Sequence, residues 1–360
     1  MTKISILGST GSIGTAALDV VSHLKNFKVV SLSANKNISL LKKQARKFRP
    51  ARIAVGPEEL KDESLIADAD IVLIAVVGSS GIWPLINSIK AGKKIALANK
   101  ESLVISGGLV KKMASRYGAR ILPVDSEHSA VFQCLDGRDA NDVSKIILTA
   151  SGGPFRSYPR KKLAGVKIKD VLNHPTWSMG RKITVDSATL INKGFEVIEA
   201  HYLFDMPYEK IEVLIHPQSV IHGAVEFSDG SVIAQMGVAD MRIPIQYALT
   251  YPERKKSPVK KLDLASINKL EFFRPDTGKF PCFGLALAAA RAGGSMPVVL
   301  NAANEVAVKK FLEGRLRFTD IPVIIEKAMA WHSVLRNPDI EDILELDTQT
   351  RKYAEDISLG

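Results

Sequence analysis

Apolar residues in the first third of the chain come in short bursts, set apart by turns and by stretches with helical spacing. Ile4–Leu7 reads as a strand, Thr15–Leu24 as a helix, Val29–Ala34 as a second strand and Leu40–Phe48 as a basic helix. Further apolar runs follow at Arg52–Val55, Ile71–Val77, Ile95–Ala98 and Arg120–Val124, with helical candidates between several of them. Strands bounded by turns and alternating with helices predict a parallel sheet of βαβ units. From Asp125 the pattern turns polar and glycine-punctuated, then gives strands at Ile211–Ile215 and Val232–Met236. That mixture predicts an α+β region whose loops carry polar work. A Pro- and Lys-rich stretch follows, and the end of the chain is alanine-rich and helical. The expected division is 1–124, 125–250, a linker at 251–280, and a helical region at 281–360.

Composition narrows the class. The 360 residues suffice for two or three domains, and a 46% hydrophobic share allows large cores. Ile71–Val77 is too short to span a bilayer, and Gly8 to Ser12 break the N-terminal apolar stretch, so a soluble protein with no membrane partner is expected. Cys134 and Cys282 stand far apart, which suits two buried thiols in a reducing cytoplasm. The net charge of +11 would fit nucleic acid, an anionic membrane or anionic small molecules. Because the basic residues are scattered and lack interleaved aromatics, nucleic acid is not expected as a partner.

The opening turn refines the picture. In "ILGSTGSIG", Gly8, Gly11 and Gly14 follow a strand and precede a helix. Such a turn lets backbone N–H groups approach a pyrophosphate at a helix N-terminus, as in a Rossmann-like dinucleotide site. The spacing is G-x-x-G-x-x-G, which is weaker as a signal than G-x-G-x-x-G. The second strand ends in Asn35, Lys36 and Asn37, with no acid to hold a ribose 2′-hydroxyl. A lysine flanked by amides suits the 2′-phosphate of NADP, although a solvent-facing lysine would look the same.

Two further groups of residues carry possible chemistry. Asp125 and Glu127 follow a strand, while Glu196 and Glu199 stand at helical spacing. Carboxylates without cysteine or clustered histidines select a hard cation, Mg²⁺ or Mn²⁺, although salt-bridge and surface acids show the same spacing. Ser151, Ser187, Asn192 and Lys193 are donors of the kinds that hold a phosphate, or that cap helices and turns. His174, Trp177, Met179 and Gly180 share one polar loop, where an aromatic either closes over a substrate or anchors the loop. His216 and His222 read as core histidines, and "NAANEVAV" as helix packing.

In combination the chain resembles the 1-deoxy-D-xylulose 5-phosphate reductoisomerase family of isoprenoid precursor biosynthesis. The resemblance rests on "ILGSTGSIG", "LANKESLV", "LPVDSEHSAVFQ", "ASGGPF", "HPTWSMGRKITVDSATLINKGFEVIEAHYLF", "HPQSVIHG" and "LNAANEVAV". It implies an α/β chain with an N-terminal Rossmann-like NADPH-binding domain, a central α+β catalytic domain and a C-terminal helical domain. It implies that Asp125, Glu127 and Glu196 ligate Mg²⁺ or Mn²⁺, and that Ser151, Ser187, Asn192 and Lys193 bind the substrate phosphate. Lys100, Ser126 and His174 match substrate-contacting positions near the metal, and Trp177 and Met179 match the active-site lid. Thr10, Gly11, Ser12, Ile13, Asn35, Lys36, Asn37, Asn99, Lys100, Glu101 and Gly180 fall at the NADPH-binding positions.

The implied reaction rearranges the skeleton of 1-deoxy-D-xylulose 5-phosphate, by retro-aldol cleavage or a ketol shift. NADPH then reduces the aldehyde to 2-C-methyl-D-erythritol 4-phosphate. The family also implies a cytoplasmic homodimer. Two rivals compete with this reading. An NADP-dependent dehydrogenase of the semialdehyde or homoserine kind would not need the carboxylates. A nucleic-acid- or metabolite-binding protein would use the charge without turnover.

Overall fold

The apolar bursts of the first third pair side by side into one six-stranded parallel sheet in the order β3-β2-β1-β4-β5-β6. The computed structural model describes residues 1–174, 176, 177 and 179–358. In chain order the elements are β1 (Thr2–Leu7), α1 (Ser12–His23), β2 (Phe27–Ala34), α2 (Ile38–Phe48), β3 (Arg52–Val55) and the short α3 (Ser64–Ala67). They continue with β4 (Ile71–Ile74), α4 (Ile82–Lys90), β5 (Lys94–Leu97), α5 (Lys100–Tyr117), β6 (Arg120–Pro123) and α6 (Ser126–Leu135). The strand order reverses between β1 and β4, the place where doubly wound sheets open a crevice for a ligand.

Local chemistry explains where the elements depart from the apolar pattern. β4 stops at Ile74 rather than Val77, because the Asn99 side-chain amide takes the carbonyls of Val76 and Gly78 at 2.9 Å each. α2 begins two residues before Leu40, since Asn37 accepts the Leu40 N–H at 3.1 Å and caps the helix. α1 begins at Ser12, with extended Gly11 as its cap residue.

A second sheet is mixed, in the order β10-β9-β7-β8. It comprises β7 (Val143–Ala150), β8 (Ile211–Ile215), β9 (Ile221–Phe227) and β10 (Val232–Met236), with β8 parallel to β7 and the other pairs antiparallel. Between β7 and β8 run α7 (Ile168–Val171), α8 (Arg181–Ala188) and α9 (Ile191–Phe204). After β10 comes α10 (Arg242–Thr250), then α11 (Pro281–Ala292), α12 (Met296–Leu312), α13 (Ile321–Trp331) and α14 (Ile340–Asp356).

The chain divides into two compact units. The first holds Met1–Leu103, Val110–Gly137 and Asp240–Leu262, and the second holds the remainder, including Val104–Leu109 from the middle of α5. In the first unit, Ile245, Ala248 and Leu249 of α10 join Ile4, Ile6 and Leu73 in one buried core. Arg242, at the start of α10, pairs with Asp19 of α1 at 3.0 Å and with Asp240 at 2.6 Å. The span 251–280 carries no helix and only an isolated bridge from Phe273 to Ile215; the units divide it after Leu262.

In the second unit α9 and α12 are buried on nearly every side. Such helices need small residues and internally satisfied polar ones, and α12 supplies Ala302, Ala303 and a buried Asn304 bonded to Asp186 at 2.9 Å. The "NAANEVAV" stretch is helix packing, as its composition suggests. Among the described residues, no helix is long and apolar enough to cross a membrane.

Candidate active site

In the first unit, every residue singled out from the sequence stands at or just beyond the carboxyl end of a strand. Thr10 to Ile13 follow β1, Asn35 to Asn37 follow β2, Asn99 to Glu101 follow β5, and Asp125 to Glu127 follow β6. All strand pairs in this sheet are parallel, so these ends share one edge. This is the edge at which open α/β sheets bind their ligands.

The glycine turn divides its labour. Gly8 has φ +91°, and a Cβ there would lie 2.5 Å from the Ala75 carbonyl oxygen; one at Gly14 would lie 2.3 Å from that of Gly8. Those two positions are glycine because the backbone requires it. A Cβ at Gly11 would meet only the Gly8 oxygen, at 3.5 Å. Among the described residues nothing excludes a side chain at Gly11, so its lack of one leaves room for close approach to the turn. The first turn of α1 has no acid and no side-chain cap, so its dipole is open to an anion.

The turn is held from behind by two residues that reading along the chain does not reveal. Ser33 Oγ accepts the Gly8 N–H at 2.9 Å, and the Ser33 carbonyl accepts the Ser9 N–H at 2.8 Å. Gln44 grips Ser9 twice: its amide donates to the Ser9 carbonyl at 2.8 Å and its oxygen accepts the Ser9 hydroxyl at 2.7 Å. Gln44 is buried on the otherwise basic α2. The only signal in the sequence is one uncharged amide within "LLKKQARKF", which is not enough to find it.

Lys36 is exposed beside the end of β2, where a cation can meet an anion. Asn99, buried at 1%, caps α5 by accepting the Ser102 N–H at 3.1 Å. Lys100, also buried, places its Nζ 2.5 Å from Asp125 Oδ2. Ser126 donates its hydroxyl to Glu127 at 2.7 Å, and the Asp125 and Glu127 carboxylate oxygens approach within 4.8 Å of one another.

The second unit gathers a separate polar cluster from three segments. Two consecutive glycines with positive φ, Gly152 at +81° and Gly153 at +65°, fold the chain after β7 so that Ser151 turns toward the α7–α8 loop. His174 Nε2 lies 3.2 Å from Ser151 Oγ and 3.1 Å from Ser187 Oγ. On the other side of the ring, Nδ1 accepts the backbone N–H groups of Thr176 and Trp177, at 3.2 and 2.9 Å. Nδ1 therefore carries no proton, and the neutral ring holds its proton on Nε2, facing the two hydroxyls. Burial, followed by the charge of Arg156, lowers the His174 pKa below its ordinary value of 6.5. Trp177 packs near His222 with ring centroids 6.2 Å apart, Met179 is half-buried and Gly180 caps α8.

On α9, Asn192, Lys193 and Glu196 are bonded to one another. Glu196 is 1% exposed and accepts from the Asn192 amide at 2.6 Å and from Lys193 Nζ at 2.5 Å. Lys193 also donates to the Thr149 carbonyl at 2.6 Å. His216 is fully buried, bonded through Nδ1 to the Glu271 carbonyl at 3.0 Å and stacked on Phe272, which makes it a core histidine.

The donor chemistry fits a hard cation. The acids singled out are all oxygen ligands, and Asp125 and Glu196 each already hold an ammonium group at 2.5 Å. Ligands of a divalent ion must be ionised, and a nearby ammonium favours that form.

Known proteins resemble the chain over its whole length. The sequence profile of 1-deoxy-D-xylulose 5-phosphate reductoisomerase matches residues 4–65 and 51–107, and that of its C-terminal domain matches 121–204. A DXP reductoisomerase C-terminal domain profile matches 236–353. The chain is 54% identical to the 1-deoxy-D-xylulose 5-phosphate reductoisomerase of Acetivibrio thermocellus over 377 positions, covering 99% of both chains. It is equally identical to that of Pelotomaculum thermopropionicum over 375, covering 98% of this chain and 97% of the relative. Among solved structures it is similar to a DOX-P reductoisomerase in complex with NADPH, fosmidomycin and magnesium. That similarity has a TM-score of 0.94 at 39% identity, covering 98% of this chain and 97% of that one. It is also similar to the Zymomonas mobilis enzyme in complex with NADPH, with a TM-score of 0.91 at 38% identity over 98% of each chain.

Proposed function

This chain belongs to the 1-deoxy-D-xylulose 5-phosphate reductoisomerase family, and from that premise we propose how its residues divide the work. The protein rearranges 1-deoxy-D-xylulose 5-phosphate and reduces it to 2-C-methyl-D-erythritol 4-phosphate in isoprenoid precursor biosynthesis, using NADPH and a divalent metal. When bound, the ion supplies electrostatic stabilisation for negative charge on substrate oxygens and NADPH supplies hydride.

The observation that carries the assignment of roles is the meeting of the Ser151 and Ser187 hydroxyls at His174. The hydroxyls of Ser151 and Ser187, with Asn192 and Lys193, bind the substrate phosphate, and His174, whose Nε2–H faces both hydroxyls, contacts the substrate beside them. Asp125 and Glu127, with Glu196, hold Mg²⁺ or Mn²⁺. Lys100 and Ser126 contact the substrate next to these carboxylates, and Trp177 and Met179 cover it and exclude water. NADPH lies along the carboxyl edge of the parallel sheet, with its pyrophosphate on Thr10 to Ile13 and its 2′-phosphate near Asn35, Lys36 and Asn37. Asn99, Lys100, Glu101 and Gly180 complete the cofactor site.

Residues 1–124 serve the cofactor and 125–250 the chemistry, with 251–280 as linker and 281–360 as helical support; of the last region, 359 and 360 lie outside the described residues. The protein acts as a cytoplasmic homodimer. Support for self-association comes from β10, an edge strand with Val232 53% exposed, and from exposed Leu264, Phe272 and Phe273 on the same unit. Support for a reducing compartment comes from two free, buried thiols. Sedimentation at micromolar concentration tests the dimer: a species of one chain mass would contradict it.

The Gln44–Ser9 grip provides a specific test of the cofactor assignment. Gln44→Leu takes the amide donor from the buried Ser9 carbonyl and leaves the Ser9 hydroxyl on the Ser33 carbonyl at 3.1 Å, a cost of about 1–3 kcal/mol. The expected result is NADPH binding weakened roughly tenfold, with the KM for the phosphate substrate unchanged. A shift in the substrate KM alone would contradict it.

His174 sets a pH dependence. Because its folded pKa is lowered, the folded protein keeps the ring neutral while the unfolded chain begins to protonate near 6.5. Its contribution to stability is therefore complete above about that pH and declines as pH falls through the lowered pKa. Protonation places a hydrogen on Nδ1, against the Thr176 and Trp177 N–H groups, and opens the turn that holds the phosphate donors. The KM for substrate is expected to rise on acidification. The substrate phosphate also titrates with a pKa of about 6, so the diagnostic comparison is His174→Asn, whose acid limb should shrink to that of the phosphate alone. An unchanged limb would remove His174 from this role.

A further inference from the structure

The second unit holds a cavity of about 490 Å³ that none of the assigned substrate, metal or cofactor residues lines. Its walls are Leu163, Phe280, Phe318 and Pro322; the first three are buried. The walls are fixed by packing, because Phe318 meets Phe155 edge-on at 5.3 Å and Phe311 at 6.0 Å. Arg160, Lys161 and Lys279 also line it, and no described lining residue is an acid. Lys279 is held in place by donating its Nζ to the Arg156 carbonyl at 2.8 Å, while Arg160 and Lys161 are exposed. Outside the lining, Asp276 accepts the Lys279 backbone N–H at 3.0 Å. A preformed apolar chamber of a few hundred cubic ångströms with convergent polar groups is the usual form of a small-molecule site. Here those groups are three cations and the hydroxyls of Thr189 and Thr319, and a guanidinium with two ammonium groups matches a phosphate head.

We propose that this cavity binds a soluble amphipathic anion, a hydrocarbon chain carrying a phosphate head, and that its occupant acts on substrate binding through the junction of α8 and α9. Thr189 lines the cavity and forms that junction: its hydroxyl donates to the Asp186 carbonyl at 3.2 Å and accepts the Ile191 N–H at 3.4 Å. The next residue, Leu190, has φ +59°, a conformation that a branched side chain adopts only where its surroundings hold it. Ser187 lies two residues before Thr189, and Asn192 and Lys193 begin three residues after it. An occupant pressing on Thr189 therefore bears on residues to which the preceding section gives the substrate phosphate, and the coupling half of the proposal rests on that reading. Coupling of this kind is reciprocal between the two ligands.

Decyl phosphate below its micellar concentration is the probe, titrated calorimetrically into the full chain, with inorganic phosphate and decanol as controls. Saturable binding in the micromolar range is expected, at least tenfold tighter than either control. Arg160→Glu combined with Lys161→Glu should weaken it at least tenfold. Ala164→Trp, which fills the chamber from a solvent-exposed position, should abolish it; both variants should keep the basal kcat. Saturating decyl phosphate should shift the substrate KM severalfold in the parent chain and leave it unchanged in Ala164→Trp. The proposal fails if binding is absent, survives both variants, is displaced competitively by 1-deoxy-D-xylulose 5-phosphate, or leaves KM unmoved. Should the chain not turn over that substrate at all, the assignment of function fails, while the calorimetry still decides the binding site.

Discussion

Glu127→Gln is expected to reduce turnover with Mg²⁺ by about 10²–10³-fold, the range seen when one preorganised electrostatic contact to a developing charge is removed. Glu127 is half-buried in the first turn of α6, with the Ser126 hydroxyl on one carboxylate oxygen. Glutamine keeps the volume and can still accept that hydroxyl, so the thermal midpoint should change little. What it loses is the negative charge, and a neutral amide is a poor ligand for a hard cation. Because a weakened site fills only at higher metal concentration, part of the lost rate should return in millimolar Mn²⁺. NADPH binding should be unaffected. Full turnover together with unaltered metal affinity would remove Glu127 from the ligand set.

Lys193→Ala should have two effects that only the pairing on α9 predicts. Lys193 and Glu196 are buried at 4% and 1% exposure, and the ammonium lies 2.5 Å from this carboxylate. Removing one partner of a buried ion pair typically costs about 3–5 kcal/mol. The metal-free protein is therefore expected to melt several degrees lower. With that ammonium gone, Mg²⁺ bound at Glu196 should raise the melting temperature of the variant more than that of the parent. The second effect is a rise in substrate KM of ten- to a hundredfold from loss of a phosphate donor, with NADPH binding untouched. A melting temperature insensitive to both mutation and metal would show that the pair is not the electrostatic unit described here.

Much of the first unit is legible along the chain, because buried parallel strands write themselves as short apolar bursts. Arg52–Val55 and Ile211–Ile215 are strands with the boundaries the pattern predicts, and the glycine turn lies between β1 and α1. The boundaries that shift do so for side-chain reasons: Asn99 ends β4 early and Asn37 starts α2 early. The contacts that hold the site are less legible, since they are made across the chain. Gln44 reaches Ser9 over 35 residues, and α10 reaches Asp19 through a contact 223 residues apart in sequence. No local period encodes either. The Asn192–Glu196 and Lys193–Glu196 bonds span only four and three residues, so the helical spacing alone could have signalled them. Reading Lys193 as a phosphate donor and Glu196 as a metal ligand separately hides that each is now the other's partner.

The central claim is that the parallel sheet and the α9 carboxylate serve one metal-dependent reductive rearrangement. The most direct test follows NADPH oxidation with 1-deoxy-D-xylulose 5-phosphate in Mg²⁺, in Mn²⁺ and with a chelator, and identifies the product. The account predicts oxidation only with metal, and 2-C-methyl-D-erythritol 4-phosphate as the product. Oxidation that persists in chelator, or folded protein that binds NADPH and metal yet leaves the substrate unchanged, would contradict it.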